Sequence, residues 1–245
     1  MGGKLIYYQY KKLNAIESFT NSSINNIPVF IICYNQYTFV KSMVDQLLKY
    51  TNNIYIIDNK STYPPLVKYL KDMENKINII YKDKNYGHFV YKMDDIVQLG
   101  GEKYIITDPD LELNPNLPMN FIEILYNLSE KYKANKVGFA LDIVNNINPN
   151  LTCKINDIDY KITEWEKQFW ENKIDDDTYE LYNADIDTTF VLINPKYPTD
   201  MRVRVAGDFT CIHKPWVIDY EKKLLDGELD YYKNNNNISS TWIGK

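Results

Sequence analysis

The stretch that decides the fold is KYIITDPD, residues 103–110. Its apolar run has the length of a strand and is typical of one buried on both faces in a parallel sheet. Pro109 donates no ladder hydrogen bond, which fits the point where a central strand leaves a sheet. In extended chain, residues i and i+2 project to the same side, so Asp108 and Asp110 can face one ligand. The stretch therefore predicts a central strand that ends in a pair of carboxylates.

Three similar apolar runs precede this stretch, and helix-like segments separate them. The runs cover residues 29–33, 54–57 and 77–81, and the helix-like segments cover residues 36–50, 65–74 and 88–98. Four strands alternating with helices through short connections predict an α/β fold with right-handed crossovers. We expect a single domain of Rossmann-like type, with a mostly parallel central sheet flanked by helices.

The later part of the chain is less regular. It predicts a helix over 118–132, a strand near 137–140, a helix around 163–170, and strands over 187–193 and 203–212.

Polarity divides the chain into three parts. Residues 1–26 are predicted to be a polar N-terminal extension, residues 27–220 the folded core, and residues 221–245 a C-terminal helix with an Asn-rich tail.

Composition narrows the class of protein. The chain has 245 residues and a formal net charge of −5, which argues against nucleic-acid binding. Its three cysteines form no CxxC pair and fit a reducing compartment. No apolar segment resembles a signal peptide or has the length of a membrane span, so we expect a soluble cytoplasmic protein without a transmembrane segment.

Several nucleotide-binding and catalytic motifs are missing. The sequence has no GxxxxGK[ST] loop, no GxGxxG after the first strand and no GxSxG elbow. Nucleotide binding would therefore depend on side chains and a metal ion rather than on a Gly-rich phosphate loop.

Polar residues follow the predicted strands at the edge where ligands bind in open α/β sheets. They include Asn35, Asp58 and Asn85, besides Asp108 and Asp110. Each could simply form a turn or a cap. The two neighbouring aspartates repel each other, however, and a divalent cation such as Mn²⁺ or Mg²⁺ would relieve that repulsion.

Seven short motifs together resemble the GT-A-fold glycosyltransferases of the family 2-like group. They are PVFIICYN (28–35), IDN (57–59), NYG (85–87), TDPD (107–110), IDTT (186–189), RVAG (204–207) and HKPW (213–216). The resemblance implies a metal-dependent enzyme that transfers a sugar from a nucleotide-sugar donor, here a UDP-sugar. The acceptor would be a hydroxyl group on a glycan, a protein or a lipid.

The resemblance also implies roles for residues at the strand ends. Tyr34, Asn35 and Asp58 match the nucleoside pocket, and Asn85 and Gly87 match a loop near the donor.

The metal would be held by Asp108, Asp110 and His213, with Asp108 also near the donor. A neutral imidazole can coordinate Mn²⁺. The other histidine, His88, is a weaker candidate.

For the base that deprotonates the acceptor, the sequence offers Asp187 and, two residues earlier, Asp185. Asp187 could instead cap a helix or accept a structural hydrogen bond. Arg204 could bind the diphosphate or pair with an acidic neighbour.

Trp165, Phe169 and Trp170 lie at helical spacing. They predict core packing or, alternatively, a platform for the acceptor.

Two other functions stay open from the sequence. A nucleotidyltransferase uses a similar sheet, but the residues after the first run, CYNQY at 33–37, lack the Gly-rich basic loop of that class. The second alternative is a non-catalytic nucleotide- or glycan-binding relative.

Overall fold

The computed structural model describes residues 26–235. Four parallel strands form one side of its nine-stranded main sheet. They are β1 (Val29–Cys33), β2 (Ile54–Asp58), β3 (Asn78–Tyr81) and β4 (Tyr104–Thr107). β1 lies between β2 and β4, and β3 pairs with the outer side of β2. All five residues of β1 are buried, as its uninterrupted apolar sequence predicts.

The remaining strands extend this sheet and form two small ribbons. They are β5 (Leu111–Glu112), β6 (Lys136–Phe139), β7 (Thr152–Ile155), β8 (Ile158–Lys161), β9 (Lys173–Ile174), β10 (Leu181–Asn183), β11 (Val191–Ile193), β12 (Arg202–Val205) and β13 (Ile212–His213). The main sheet has the order β3-β2-β1-β4-β11-β6-β12-β10-β9, while β5 pairs with β13 and β7 with β8. Within this sheet, β10 and β11 run opposite to the other strands.

Helices cover both faces of the sheet. They are α1 (Tyr37–Leu47), α2 (Pro64–Met73), α3 (Asp94–Gly100), α4 (Phe121–Tyr132), α5 (Ile162–Lys167) and α6 (Glu228–Asn235). Side chains of β1 alternate between two cores, because successive residues of a strand point to opposite faces. Val29 and Ile31 pack with α1, α2 and α4, whereas Phe30 and Ile32 pack against Val90 and the start of α3 on the other face.

These features confirm the predicted fold class: a single α/β domain whose central sheet is mostly parallel and flanked by helices. The arrangement is consistent with a GT-A-like, Rossmann-like fold. The three cysteines are free and buried, as expected for apolar packing. No helix within residues 26–235 combines the length and the apolar character needed to cross a membrane.

Two predicted strands are shorter than expected. The segment predicted as a strand over 187–193 is extended chain that enters β11 at Val191, after Phe190 with a positive φ of 28°. Gly138 of β6 permits this path, because a Cβ there would lie 2.6 Å from the carbonyl oxygen of Phe190. The predicted strand over 203–212 ends at Val205, because Gly207 adopts a φ of 66° and opens a 3₁₀ turn.

Two predicted helices also differ in type. The segment from 88 to 98 divides into a 3₁₀ helix, Gly87–Lys92, and α3, because Met93 has an extended backbone. The helix around 163–170 ends its α-helical part at Lys167 and continues as a 3₁₀ turn, Gln168–Trp170.

The C-terminal helix packs on the core through a buried carboxylate. Glu228, at the start of α6, is fully buried and accepts hydrogen bonds from the backbone N–H and the hydroxyl of Thr38. Thr38 lies in the first turn of α1, so α6 is fixed beside the loop that follows β1. The predicted extension, residues 1–26, lies almost entirely outside the described residues, as does the end of the Asn-rich tail.

Candidate functional site

The carboxyl ends of β1, β2 and β4 meet at one edge of the sheet, because these strands are parallel neighbours. Asn35, Asp58, Asp108 and Asp110 all lie at this edge, as the sequence predicts. In the structure these residues form three local groups, each with its own hydrogen bonds.

The first group joins Asp108 to the segment before β11. Its Oδ2 accepts a hydrogen bond of 2.7 Å from the Thr188 hydroxyl, and its backbone N–H donates to the Thr188 carbonyl at 3.1 Å. Asp187 is therefore next to Asp108 in space, and its side chain is exposed. Burial, and then the charges of Asp110 and Asp187, raise the pKa of Asp108 to about 8. The charges of two other carboxylates thus act on Asp108.

The second group joins Asp110 to His213 through the β5–β13 ribbon. His213 pairs with Leu111, and the Lys214 N–H donates to the Asp110 carbonyl at 2.9 Å. The imidazole Nε2 lies 3.5 Å from Asp110 Oδ2. Asp110 Oδ1 and His213 Nδ1 are buried without a hydrogen-bond partner among the described residues. Burial lowers the pKa of His213, although the Asp110 charge opposes this, and a lowered pKa favours the neutral imidazole that ligates metals.

The donor atoms of these groups fit a divalent cation, although a complete set of ligands is not assembled. Within residues 26–235, no three His, Cys, Asp or Glu side chains are grouped closely enough to hold a metal ion by themselves. Asp110 and His213 supply an adjacent oxygen and nitrogen, with Asp108 turned toward Thr188. Such cations often bind through one or two carboxylates and complete their coordination with water and substrate phosphates.

The third group contains the residues predicted to contact the nucleoside. Asn35, with a φ of 54°, accepts hydrogen bonds through Oδ1 from the N–H groups of Thr62 and Tyr63. Asp58 accepts a hydrogen bond from the Ser61 N–H at 3.0 Å, and burial raises its pKa. The Asn35 side chain therefore joins the loops after β1 and β2, whereas Asp58 stabilises the loop after β2 alone. The Asn35 Nδ2 is buried and has no partner in the described part of the chain.

The loop after β3 reaches the same edge. Asn85 Oδ1 accepts a hydrogen bond of 2.8 Å from the N–H of Gly87, whose carbonyl in turn accepts one from Asn59. Gly87 has a φ of 65°, a conformation that glycine adopts without strain. His88 packs its ring on Phe89 instead of joining the carboxylates.

Helix α6 covers these loops, a contribution that was not predicted. The Tyr34 hydroxyl donates to the Asn235 carbonyl at 2.7 Å, and the Tyr231 and Thr62 hydroxyls lie 3.0 Å apart. Tyr232 packs against Tyr34 with their ring centroids 6.5 Å apart. The spacing of Glu228, Tyr231, Tyr232 and Asn235 on one helix is the sequence signal that could have indicated this contact.

Comparison with known proteins gives similarities of fold. No protein-family model and no curated protein matches the sequence. The structure is similar to a mannosyltransferase, PcManGT from Pyrobaculum calidifontis in complex with GDP-Man and Mn²⁺, at 10% identity and a TM-score of 0.46. The match covers 89% of this chain, which spans 66% of that protein. HddC from Yersinia pseudotuberculosis is similar at 11% identity and a TM-score of 0.43, over 81% of this chain and 97% of HddC. Neither similarity identifies the residues of the site.

The guanidinium of Arg204 is engaged with an acidic neighbour, one of the two roles that the sequence left open. It forms a buried ion pair with Glu166, and its Nε donates to the Asp185 carbonyl at 2.7 Å. It also stacks over the Phe169 ring, 4.2 Å from the centroid. Phe169 thus packs against a cation, and Trp165 packs partly on the core beside it.

Asp185 lies apart from Asp187. Its carboxylate is 3.5 Å from the Nε of Arg202, the first residue of β12. β12 runs in the same direction as β4, so its first residue lies at the edge of the sheet opposite to Asp108. The two candidate bases therefore occupy different surroundings, and Asp187 is the one beside Asp108.

Two lysines, one buried and one partly buried, stabilise segments that carry site residues, and neither was predicted to do so. Lys214 is 2% exposed, and its Nζ donates to the Ser42 hydroxyl on α1, which fixes the ribbon that carries His213. Burial lowers the pKa of Lys214 to about 8. Lys136 Nζ donates to the Ile186 carbonyl at 2.6 Å and so fixes the segment that carries Asp187.

Proposed function

We propose that this chain is a metal-dependent glycosyltransferase. It moves a sugar from a nucleotide-sugar, a UDP-sugar in our proposal, to a hydroxyl group on a glycan, a protein or a lipid. One observation supports the proposal most strongly: two groups of polar residues lie together at the carboxyl end of the parallel strands. One group is Asp108 with Asp187 and Thr188, and the other is the pair of Asp110 and His213.

Asp110 and His213 are the proposed metal ligands, with Asp108 as the third. Their buried atoms without hydrogen-bond partners, Asp110 Oδ1 and His213 Nδ1, support this assignment, because buried polar atoms in a finished fold are usually paired. A bound Mn²⁺ or Mg²⁺ would supply charge that neutralises the diphosphate leaving group.

Asp187 is the proposed general base. It is exposed beside Asp108, so an acceptor hydroxyl can reach it from solvent. The acceptor oxygen attacks the anomeric carbon of the sugar and transfers its proton to the Asp187 carboxylate. The bond from the anomeric carbon to the phosphate oxygen breaks, and the nucleoside diphosphate leaves with that electron pair.

The nucleoside would bind at the loops after β1, β2 and β3. Tyr34, Asn35 and Asp58 form its proposed pocket, with Asn85 and Gly87 at the donor side. The unpaired Nδ2 of Asn35 is a donor available to a ligand, and the hydroxyl of Tyr34 is already aligned by α6.

The test is a set of titrations and reactions with the full chain. We expect calorimetry to show UDP binding in the presence of Mn²⁺ and much weaker binding without it. A panel of UDP-sugars should be hydrolysed slowly in the absence of acceptor, with release of UDP. Release of pyrophosphate from a nucleoside triphosphate and a sugar 1-phosphate would indicate a nucleotidyltransferase instead. Failure to bind any nucleoside diphosphate in either condition would reject the proposal.

A further inference from the structure

A polar cavity of about 450 Å³ lies at the end of the sheet away from the carboxylates. Asn172 precedes β9, Asn183 ends β10 and Arg202 begins β12 in its wall. Because the first residue of β12 is at the opposite edge from Asp108, the cavity is separate from the site described above. Its volume is in the range of small-molecule sites.

The wall of this cavity is fixed by the buried Arg204. The guanidinium lies 4.2 Å from the centroid of the Phe169 ring, and its Nε donates to the carbonyl of Asp185. Phe169 and Asp185 both line the cavity, and Glu166, which does not line it, neutralises the charge of Arg204 through the buried ion pair. One buried ion pair thus positions two wall residues in advance of any ligand. Such preorganisation lowers the cost of binding.

The polar groups of the wall match a ligand with many hydroxyls. The amides of Asn172 and Asn183 both donate and accept, whereas the carboxylates of Asp185 and Asp200 accept. The Nε of Arg202 is buried and lies 3.5 Å from the Asp185 carboxylate, but it forms no hydrogen bond among the described residues. A hydroxyl group can donate to the carboxylates and accept from the guanidinium and the amides.

The charge and the aromatic surface of the wall further limit the chemical class of the ligand. The wall carries two carboxylates, those of Asp185 and Asp200, and one guanidinium, that of Arg202, so it disfavours phosphates and other anions. Its mostly polar lining also disfavours an apolar molecule. The ring of Phe169 gives the wall one apolar surface, which suits the C–H face of a sugar ring.

We propose that this cavity is a second carbohydrate site, which binds an uncharged saccharide and takes no part in the transfer chemistry. The site does not depend on the proposed function: it shares no residue with the donor and metal groups, and Asp185, its one residue among the candidate bases, is not the proposed base.

The experiment is a binding screen with the full chain. Methyl glycosides of glucose, galactose, mannose and N-acetylglucosamine, together with their common disaccharides, are tested by saturation-transfer NMR, and positive sugars are titrated by calorimetry. We expect at least one of these uncharged sugars to bind. Asn172→Ala combined with Asn183→Ala should weaken that binding at least tenfold. Neither side chain hydrogen-bonds to the protein within the described residues, so the double variant keeps its fold.

Two control variants test whether the saccharide binds in the cavity. Asn52→Ala changes an exposed asparagine on a distant loop and should leave the affinity unchanged. Asp108→Asn with Asp110→Asn should also leave it unchanged, even where it abolishes nucleotide binding. The inference is overturned if none of the uncharged sugars binds, if only anionic sugars bind, or if binding survives in the Asn172 and Asn183 double variant.

Discussion

His213 and Asp110 face each other across the ribbon of β5 and β13, with the imidazole Nε2 3.5 Å from the carboxylate Oδ2. The two residues are 103 positions apart in the sequence, and the ribbon brings them to the same point as the end of β4. Asp110 Oδ1 is buried without a partner in residues 26–235, so the pair has capacity for a further ligand.

Loss of either member of this pair should weaken metal binding. Because each supplies one donor atom, we expect His213→Ala or Asp110→Asn to lower the affinity for Mn²⁺ in the presence of UDP by at least about 10-fold, the smaller loss seen when even an outer-shell partner of a metal ligand is removed. Calorimetry or the electron paramagnetic resonance of Mn²⁺ measures the effect. His88→Ala, which changes a histidine outside the group, is the matched control, and unaltered Mn²⁺ affinity in His213→Ala would exclude His213 as a ligand.

A kinetic test should distinguish between the two candidate bases, Asp187 and Asp185. Asp187 is exposed beside Asp108, whereas Asp185 lies near Arg202 at the opposite edge of the sheet. General-base catalysis contributes about 10²–10⁴-fold to a rate, so Asp187→Asn should lower kcat by that factor while UDP affinity stays the same. Asp185→Asn should change kcat less than about twofold. The reverse result would assign the base to Asp185.

Much of the fold follows from local sequence pattern. The apolar runs before Asp58 and Asp108 are long enough and regular enough to define central strands, and helical spacing defines α1 and α2 between them. The strand order also predicts the edge of the sheet at which the carboxylates lie, because parallel strands connected by helices all end at the same edge.

Other features depend on contacts between distant segments, which local pattern does not contain. The extended segment before β11 ends at Phe190, whose φ is positive. This path also requires a glycine on a neighbouring strand, because a Cβ on Gly138 of β6 would clash with the carbonyl oxygen of Phe190. The buried pair of Glu166 and Arg204 likewise joins a helix to a strand, so neither sequence neighbourhood indicated it. Long-range packing therefore explains these two features, whereas the changes at Gly207 and Met93 follow from local backbone conformation.

The buried pair of Glu166 and Arg204 should be costly to break. Glu166→Gln keeps the shape of the side chain but leaves the Arg204 guanidinium without its counter-charge, and such losses cost about 3–5 kcal/mol. Urea denaturation should show a decrease of that size in the free energy of unfolding. Asp72→Asn, which breaks an exposed pair with Lys68, should leave the free energy of unfolding essentially unchanged.

A second variant tests the electrostatic origin of this loss. Glu166→Leu combined with Arg204→Met removes both charges, so most of the stability should return. A double variant that is as unstable as Glu166→Gln would point to lost packing instead.

Asp176 should make folding sensitive to acid. Its carboxylate accepts hydrogen bonds from Lys131 and Tyr132, and from the N–H groups of Thr178 and Tyr179, so the pKa of Asp176 is well below its ordinary value. A group whose pKa is lower in the folded state stabilises the fold above its unfolded pKa, near about 4. That contribution is lost as the pH falls below this value.

Asp176→Asn should therefore lower the free energy of unfolding at pH 7 by about 1.5–3 kcal/mol, the usual value of hydrogen bonds to a charged group. The difference from the unmodified chain should shrink when urea denaturation is repeated at decreasing pH below about 4. Asp157→Asn changes an exposed aspartate and should show no such pH dependence. If the difference in the free energy of unfolding stayed constant with pH, the charge of the Asp176 carboxylate would not be the source of its stabilising effect.

Glu228 should control the docking of α6 beside the loops that we assign to the nucleoside. Its carboxylate is fully buried and accepts from the N–H and hydroxyl of Thr38 and from the Leu225 N–H. Glu228→Gln retains one acceptor oxygen in place of two, so we expect a loss of about 1–3 kcal/mol in the free energy of docking. Amide hydrogen exchange of residues 228–235 should become faster by the corresponding factor, while exchange in β1 and β4 stays slow. Glu221→Gln, an exposed change in the 3₁₀ helix Tyr220–Lys223 that precedes α6, is the control. Equal exchange in both variants would show that the tyrosines of α6, rather than Glu228, hold the helix in place.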